Sequence, residues 1–351
     1  MKSTMFRKIR AAGVCVISLA IVHALSSGDT AAQYSQEKSQ QPSDKGKQST
    51  MSEGEEKAVL KIKEAPDIAA KLTAAGEFIK KYPKSTARAS VVTYIAGEIE
   101  KLPDDSQRSA QLESMLVVFK EPADLGVIEP ILINRYFQAK RPDDAFRVVA
   151  SYIAVAPDDV GVLTQAAIEG GEQAKRNNPK FVQQSRQYGN KAIELIEAGK
   201  KPTTYDDARW NEYRTRWLPI LYQSLGMVSL MTGDKSDARS KLDKSLALSP
   251  SDPFTYVLIG SLYNDEYQQL AEQHKTLTAG PLKDSVLKQA HEKLDLVIDM
   301  YAHAVALSEG RPEYGPLHDR LFQDLESYYK YRHAGATDGL QQLIDKYKKM
   351  S

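Results

Sequence analysis

Residues 222–250 read YQSLGMVSLMTGDKSDARSKLDKSLALSP and are typical of two helices joined by a tight turn. Apolar and small residues recur at intervals of three and four on both sides of Gly233, which is the spacing of one helix face. Gly226 stands in the middle of the first helix, where glycine costs about 1 kcal/mol relative to alanine. We therefore expect the second helix to pass too close to residue 226 for any side chain. Gly233 ends the first helix, and Asp234 is placed to cap the second.

This spacing resembles the tetratricopeptide repeat, a helix–turn–helix unit of about 34 residues with large and small residues at fixed positions. The residues at the marked positions are Tyr222, Leu225, Gly226, Ser229, Ala238, Leu242, Ser245 and Pro250. Ser229 replaces the usual Tyr, and Ser245 replaces the usual Ala. A second match, with Ile133 at the usual glycine position, consists of Leu132, Tyr136, Ala145, Val149, Tyr152 and Pro157. A third opens with Phe254, Tyr256, Ile259, Gly260 and Tyr263. The resemblance implies an all-α fold, an α-α superhelix of such repeats.

Residues 1–32 have the pattern of a secretion signal. Four basic residues precede the apolar run 11–25, and small residues suited to cleavage lead up to Ala32. The alternative is an uncleaved anchor, but the apolar run is shorter than the ~20 residues that a spanning helix needs. We therefore expect a periplasmic or secreted protein of the cell envelope, in contact with the membrane only if the signal stays attached.

The rest of the chain divides into three predicted segments. Residues 33–51 are rich in Gln, Ser and Lys and predict a disordered linker. Residues 52–202 predict N-terminal helical repeats, opened by a capping box of Ser52 and Glu55. Residues 203–351 predict C-terminal repeats with capping helices. A long helical insertion at 266–307 follows the first helix of the third match and postpones its second helix. Such an insertion is either a binding face or the contact of a homodimer.

Composition restricts the classes of function. The 351 residues are 42% hydrophobic and 26% charged, enough for a substantial core. Removing residues 1–32 takes away four basic residues and one acidic residue, so the net charge falls from +1 to −2. A nucleic-acid partner is not expected, because it would favour a positive domain. The single cysteine, Cys15, lies in the signal, so disulfides and thiol chemistry are excluded from the mature chain.

The sequence contains no pattern typical of catalysis. The histidines after the signal form no H-E-x-x-H motif, and the chain has neither a G-x-S-x-G elbow nor a phosphate-binding glycine loop. Pairs such as Asp104-Asp105 and Asp143-Asp144 stand at helix starts, where they stabilise the helix dipole by about 0.3–1 kcal/mol each. We expect no enzymatic activity, no cofactor and no metal site, although an enzyme with an unrecognised site remains the third hypothesis.

The resemblance implies that the first helices of the repeats line a concave groove that holds extended peptides or helices. The residues at the groove positions are Asn134, Phe137, Gln138, Gln223, Met227, Met231, Asn264 and Asp265. Asn and Gln can bond a partner's backbone, and Met adapts to its shape. The predicted function is a non-enzymatic scaffold of the cell envelope that binds a protein or peptide partner in this groove.

An alternative function concerns the basic and aromatic helix predicted at Tyr205–Trp217, ahead of Pro219. If Trp210 and Trp217 were exposed, they would form platforms for a glycan or another small ligand. The competing interpretation is that both tryptophans lie in the core, because their spacing is that of one helix face. Whether the two tryptophan side chains are exposed or buried decides between these interpretations.

Overall fold

The structure, a computed structural model, describes residues 51–349. Within that range the chain is all-helical, with fourteen α-helices packed in adjacent pairs and no strand. Short 3-10 turns occur at Pro179–Phe181 and Pro312–Tyr314. The predicted all-α class is confirmed. The predicted signal and all of the predicted linker except Met51 lie outside the described residues.

The helices have the following bounds. The first seven are α1 Glu53–Glu64, α2 Ile68–Lys81, α3 Arg88–Glu100, α4 Asp105–Val118, α5 Pro122–Gln138, α6 Pro142–Val155 and α7 Val160–Lys175. The next seven are α8 Val182–Glu197, α9 Asp207–Met231, α10 Lys235–Leu248, α11 Pro253–Thr276, α12 Pro281–Ser308, α13 Gly315–Arg332 and α14 Leu340–Lys348.

Side-chain caps fix where several helices begin. Ser52 Oγ accepts a hydrogen bond from the backbone N–H of Glu55 at 3.3 Å, and Glu55 Oε2 accepts one from the backbone N–H of Ser52 at 2.8 Å. This is the predicted capping box, and the structure confirms it. Asp234 likewise accepts from the backbone N–H of Asp237 at 3.1 Å, as predicted for the start of α10. Each cap satisfies backbone donors that have no partner inside the helix.

The described chain forms two compact units. The first unit holds residues 51–169 and 194–210, and the second unit holds residues 170–193 and 211–349. In the first unit α5 packs against α3, α4 and α6. An ion pair ties α3 to the start of α5: Arg88 donates to Asp124 at 3.0 and 2.6 Å, and the Asp124 side chain is only 2% exposed.

The second unit contains the α9–α10 pair that residues 222–250 predicted. A β-carbon at Gly226 would lie 2.8 Å from Leu242 Cγ and 3.3 Å from the backbone oxygen of Ala238. Both distances are too short for an ordinary contact, so α10 excludes a side chain at residue 226. The predicted close approach of the two helices is confirmed.

Helix α9 differs from the prediction, which ended one helix ahead of Pro219 and started another at Tyr222. The structure has one helix of 25 residues, and Pro219 lies inside it. Proline in a helix interior costs about 3 kcal/mol, because it removes one backbone hydrogen bond and crowds the preceding turn. Burial offsets this cost, since the residues from Trp217 to Pro219 are buried and Ser245 Oγ donates to the Pro219 oxygen at 3.0 Å.

The segment predicted as an insertion is continuous with its neighbours. Residues 266–276 extend α11 to 24 residues, and α12 runs antiparallel to it for 28 residues. Helices α13 and α14 both pack on α12. The second unit therefore ends in a long helical hairpin with two further helices against it.

Candidate functional site

Three predicted groove residues lie on α5 in the first unit. Asn134 is half-buried, and its Oδ1 accepts a hydrogen bond from Gln165 Nε2 at 2.9 Å. Phe137 is buried, with its ring edge-on to Phe146 at a centroid distance of 5.4 Å. Gln138 is exposed. Of the three, Gln138 is the one with an exposed side chain.

The residues just before Gln138 on α5 bond charged side chains of α3 and α4. Arg135 donates to Gln138 Oε1 at 2.9 Å, and it also forms an ion pair with Glu100 of α3. Tyr136 donates its hydroxyl to Glu113 at 2.7 Å. Burial, and then the bond to Glu113, raise the pKa of Tyr136 to about 12. These carboxylates connect α3 and α4 to α5.

The predicted groove residues of α9 have different environments. Gln223 is buried; its Nε2 donates to Thr255 Oγ1 at 2.7 Å and also to Asp252. Met227 is buried and packs against Gly171 of α7. Met231, at the end of the helix, is 47% exposed. Gln223 and Met227 therefore join helices within the second unit, and Met231 remains accessible.

On α11 the predicted pair Asn264 and Asp265 is also engaged. Asn264 is only 4% exposed, and its Oδ1 accepts the hydroxyl hydrogen of Tyr328 from α13 at 2.9 Å. Asp265 is half-buried and pairs with Lys235 Nζ at 3.1 Å. Burial raises the pKa of Tyr328 well above its usual range, so its hydroxyl remains a donor. A helix of the chain itself thus fills the position that the sequence assigned to a partner.

Part of α9 and the start of α11 are buried on every side. All residues from 221 to 229 of α9 and from 253 to 260 of α11 are buried. A helix that is buried all round belongs to the core, whereas a groove helix keeps one polar face in water. The run PFTYVLIG at 253–260 is almost entirely apolar, and this composition indicates from the sequence that the start of α11 is buried.

The tryptophans predicted as either platforms or core residues are in the core. Trp210 is 5% exposed and Trp217 is 6% exposed. Tyr205 lies edge-on to Trp210 at 6.5 Å, and burial raises the pKa of Tyr205 to about 12. The interpretation of these side chains as packing residues is confirmed. The glycan alternative therefore loses the exposed rings on which it depended.

An open cleft between α1 and α2 was missed by the sequence reasoning. Its volume is about 440 Å³. Leu60, which is 52% exposed, lies beside Pro66 and alanines of α2, and Lys57 and Lys61 form the rim. Both lysines already pair with glutamates. The cleft is lined by both apolar and charged side chains. Its only signal in the sequence is the group of small residues around Pro66.

Among residues 51–349, no group of three His, Cys, Asp or Glu side chains is arranged to hold a metal ion. No helix in the same range is both long and apolar enough to span a bilayer.

Comparison with known proteins identifies no family for this chain. No protein-family model matches the chain, and no curated protein is significantly similar to it.

Proposed function

We propose that this protein is a non-enzymatic interaction scaffold of the cell envelope, built as a tetratricopeptide-like superhelix that binds a segment of another protein. The observation that carries the proposal is the α9–α10 pair. Gly226 lies against Leu242, as the repeat pattern requires, and Asp234 caps the second helix. The first helix is buried along residues 221–229 but leaves Met231 exposed at its end.

The contacts within the chain narrow the surface on which a partner would bind. Gln223, Met227, Phe137 and Asn264 are buried, so they act by holding the helices in position. The contact positions in the proposal are Gln138 in the first unit and Met231 in the second. Asn134 and Asp265 are half-exposed and would add hydrogen bonds at the margin.

Location in the envelope is part of the same proposal and depends on residues 1–32. The basic start, the apolar run and the small residues before Ala32 are the pattern that directs secretion. The polar segment 33–51 would then act as a tether for the folded part.

Site-specific photocrosslinking in the source cells tests the proposal, with a photoreactive amino acid placed at residue 138 or at residue 231. Matched controls are Val155 and Leu248, at the ends of the paired second helices. Leu248 is 48% exposed, against 47% for Met231, so access of the probe is equal. We expect one defined envelope protein to be captured from residues 138 and 231 and not from the controls. Equal capture at all four positions, or none at any, would reject the scaffold.

A second partner class, another copy of this chain, is favoured by the α11–α12 hairpin. Leu282 is 62% exposed and Leu287 is 37% exposed on α12, inside the segment 266–307 predicted as a dimer contact. Sedimentation equilibrium of the wild type and of a Leu282→Lys, Leu287→Lys variant tests this. A monomeric mass for the wild type at micromolar concentration excludes the dimer.

A further inference from the structure

The C-terminal helix α14 is attached to the second unit around one imidazole ring. His303 of α12 lies between two tyrosine rings, with Tyr256 of α11 at 4.5 Å and Tyr347 of α14 at 3.4 Å between centroids. Tyr347 is 4% exposed and donates its hydroxyl to Asp299, one turn before His303 on α12. The three helices therefore meet at an imidazole, the side chain whose unperturbed pKa lies near neutral pH.

The Nδ1 atom of His303 is buried and has no hydrogen-bond partner. In a neutral imidazole one ring nitrogen carries no hydrogen, so Nδ1 can be the acceptor and leave no donor unpaired. In the imidazolium both nitrogens carry hydrogen, and Nδ1–H would be a charged donor without an acceptor. Such a group is far more costly to bury than an unpaired neutral acceptor. The geometry therefore favours the neutral ring while α14 is docked.

The charged and titratable groups around His303 do not reverse this preference. Burial lowers the pKa of His303 below its ordinary value of 6.5; Asp299 raises it in part, and Lys346 of α14 lowers it again. The Tyr256 hydroxyl of α11 stays protonated, because burial raises its pKa. On the α13 side, His318 bonds Ser308 five residues further along α12.

The rest of the attachment of α14 consists of apolar packing, to which the partly buried Leu343 contributes, and of one ion pair. Leu340 and Ile344 are its other buried side chains, besides Tyr347. The ion pair of Lys348 with Glu309, 2.6 Å long, is largely exposed and contributes little. The loop before α14 has positive φ angles at Ala334, Gly335 and Gly339. The chain therefore turns sharply there, and α13 does not continue into α14.

We propose that α14 is an acid-released latch: protonation of His303 detaches α14 from α11 and α12 and uncovers the apolar surface of α12 beneath it. The direction of the pH effect follows from the different proton affinities of the docked and released states. The released state binds the proton more tightly than the docked state, so docking is at full strength above about pH 6.5 and weakens as the pH falls below that value. The weakening stops when the pH reaches the pKa of the docked state.

Hydrogen–deuterium exchange of the mature protein tests the latch, with peptides covering residues 340–348 compared at pH 7.5 and pH 5.0 after correction for the intrinsic exchange rate. We expect exchange in α14 to rise at the lower pH and not at pH 7.5, because the released state binds the proton more tightly than the docked state. Peptides from α10 serve as the internal control and should not change. His303→Phe keeps a ring between the two tyrosines but cannot be protonated, so its α14 should exchange equally at both pH values.

Two results would overturn the latch. One is a pH response of α14 in His303→Phe as large as in the wild type, and the other is a rise that extends to α10, which would mean general acid unfolding. If His303→Phe proves misfolded by circular dichroism, His303→Asn replaces it, because the amide is also uncharged at both pH values. Persistence of the pH response in His303→Asn would likewise reject the proposal.

Discussion

Replacing Gly226 with alanine should destabilise the second unit, although alanine is the better helix former. The added β-carbon would lie 2.8 Å from Cγ and 2.9 Å from Cδ2 of Leu242. Leu242 is fully buried and cannot swing away into solvent. Overpacking of a core costs about 1–3 kcal/mol, and the gain in helix propensity is about 1 kcal/mol. We expect a net loss of up to about 2 kcal/mol from these opposing terms.

Gly97 provides the matched control. It lies in the middle of α3, is exposed, and has no atom within 4 Å of the position of a β-carbon. Gly97→Ala should therefore stabilise its unit by about 1 kcal/mol, because only the propensity term remains. Urea unfolding followed by circular dichroism at the helix band measures both variants against the wild type.

A double-mutant cycle makes the reasoning on Gly226 stricter. Leu242→Ala removes the side chain that excludes the β-carbon and costs about 2–5 kcal/mol alone. In that background Gly226→Ala should destabilise less than in the wild type, because only the backbone oxygen of Ala238, at 3.3 Å, still crowds the β-carbon. The explanation fails if Gly226→Ala destabilises equally in both backgrounds, or if Gly97→Ala and Gly226→Ala shift stability in the same direction.

Three further predictions concern buried polar groups, each measured by urea unfolding. Gln223→Ala should cost about 1–3 kcal/mol, because it removes two hydrogen bonds of a buried side chain, to Thr255 and to Asp252. Gln138→Ala at the exposed end of α5 should cost close to nothing, and equal losses would contradict this difference. Arg88→Ala should cost about 3–5 kcal/mol, since it leaves Asp124 charged and buried, and Arg88→Lys should recover part of the loss. Burial raises the pKa of Glu129 above 4.5, so the folded state holds that proton to higher pH and the carboxyl lowers stability as the pH rises. Glu129→Gln should therefore raise the urea midpoint at pH 7 and leave it nearly unchanged at about pH 4; the reverse pattern would refute the assigned cause.

Features set by near neighbours in the chain could be predicted from the sequence. The cap at Ser52 needs only Glu55, three residues later, and the turn at Gly233 needs only the ends of two helices. Gly226 depends on residues somewhat further along the chain. Glycine lowers the stability of a helix, so a glycine in the middle of one commonly indicates that another helix packs closely against it. In each case the chemistry of one residue type restricts the local structure strongly.

The candidate site was less predictable, because its residues depend on remote partners. Gln223 binds Thr255, which is 32 residues further along the chain, and Asn264 binds Tyr328, which is 64 residues further along. Periodicity shows which residues share a helix face but not which helix covers that face. The helix through Pro219 was missed for the same reason, since burial by neighbouring helices outweighs the local preference of proline.

The adjacent packing of the helices also has a consequence for how the chain reaches its structure. In the first unit, α5 finds its partners in α3, α4 and α6, all close by in sequence. Structures built from such local contacts fold quickly, because little loop-closure entropy has to be overcome before each contact forms. The N-terminal helices can therefore begin to assemble during synthesis, before the later ones exist. The bond between Tyr328 and Asn264 must wait for the last part of the chain, so the second unit reaches its final structure only after synthesis is nearly complete.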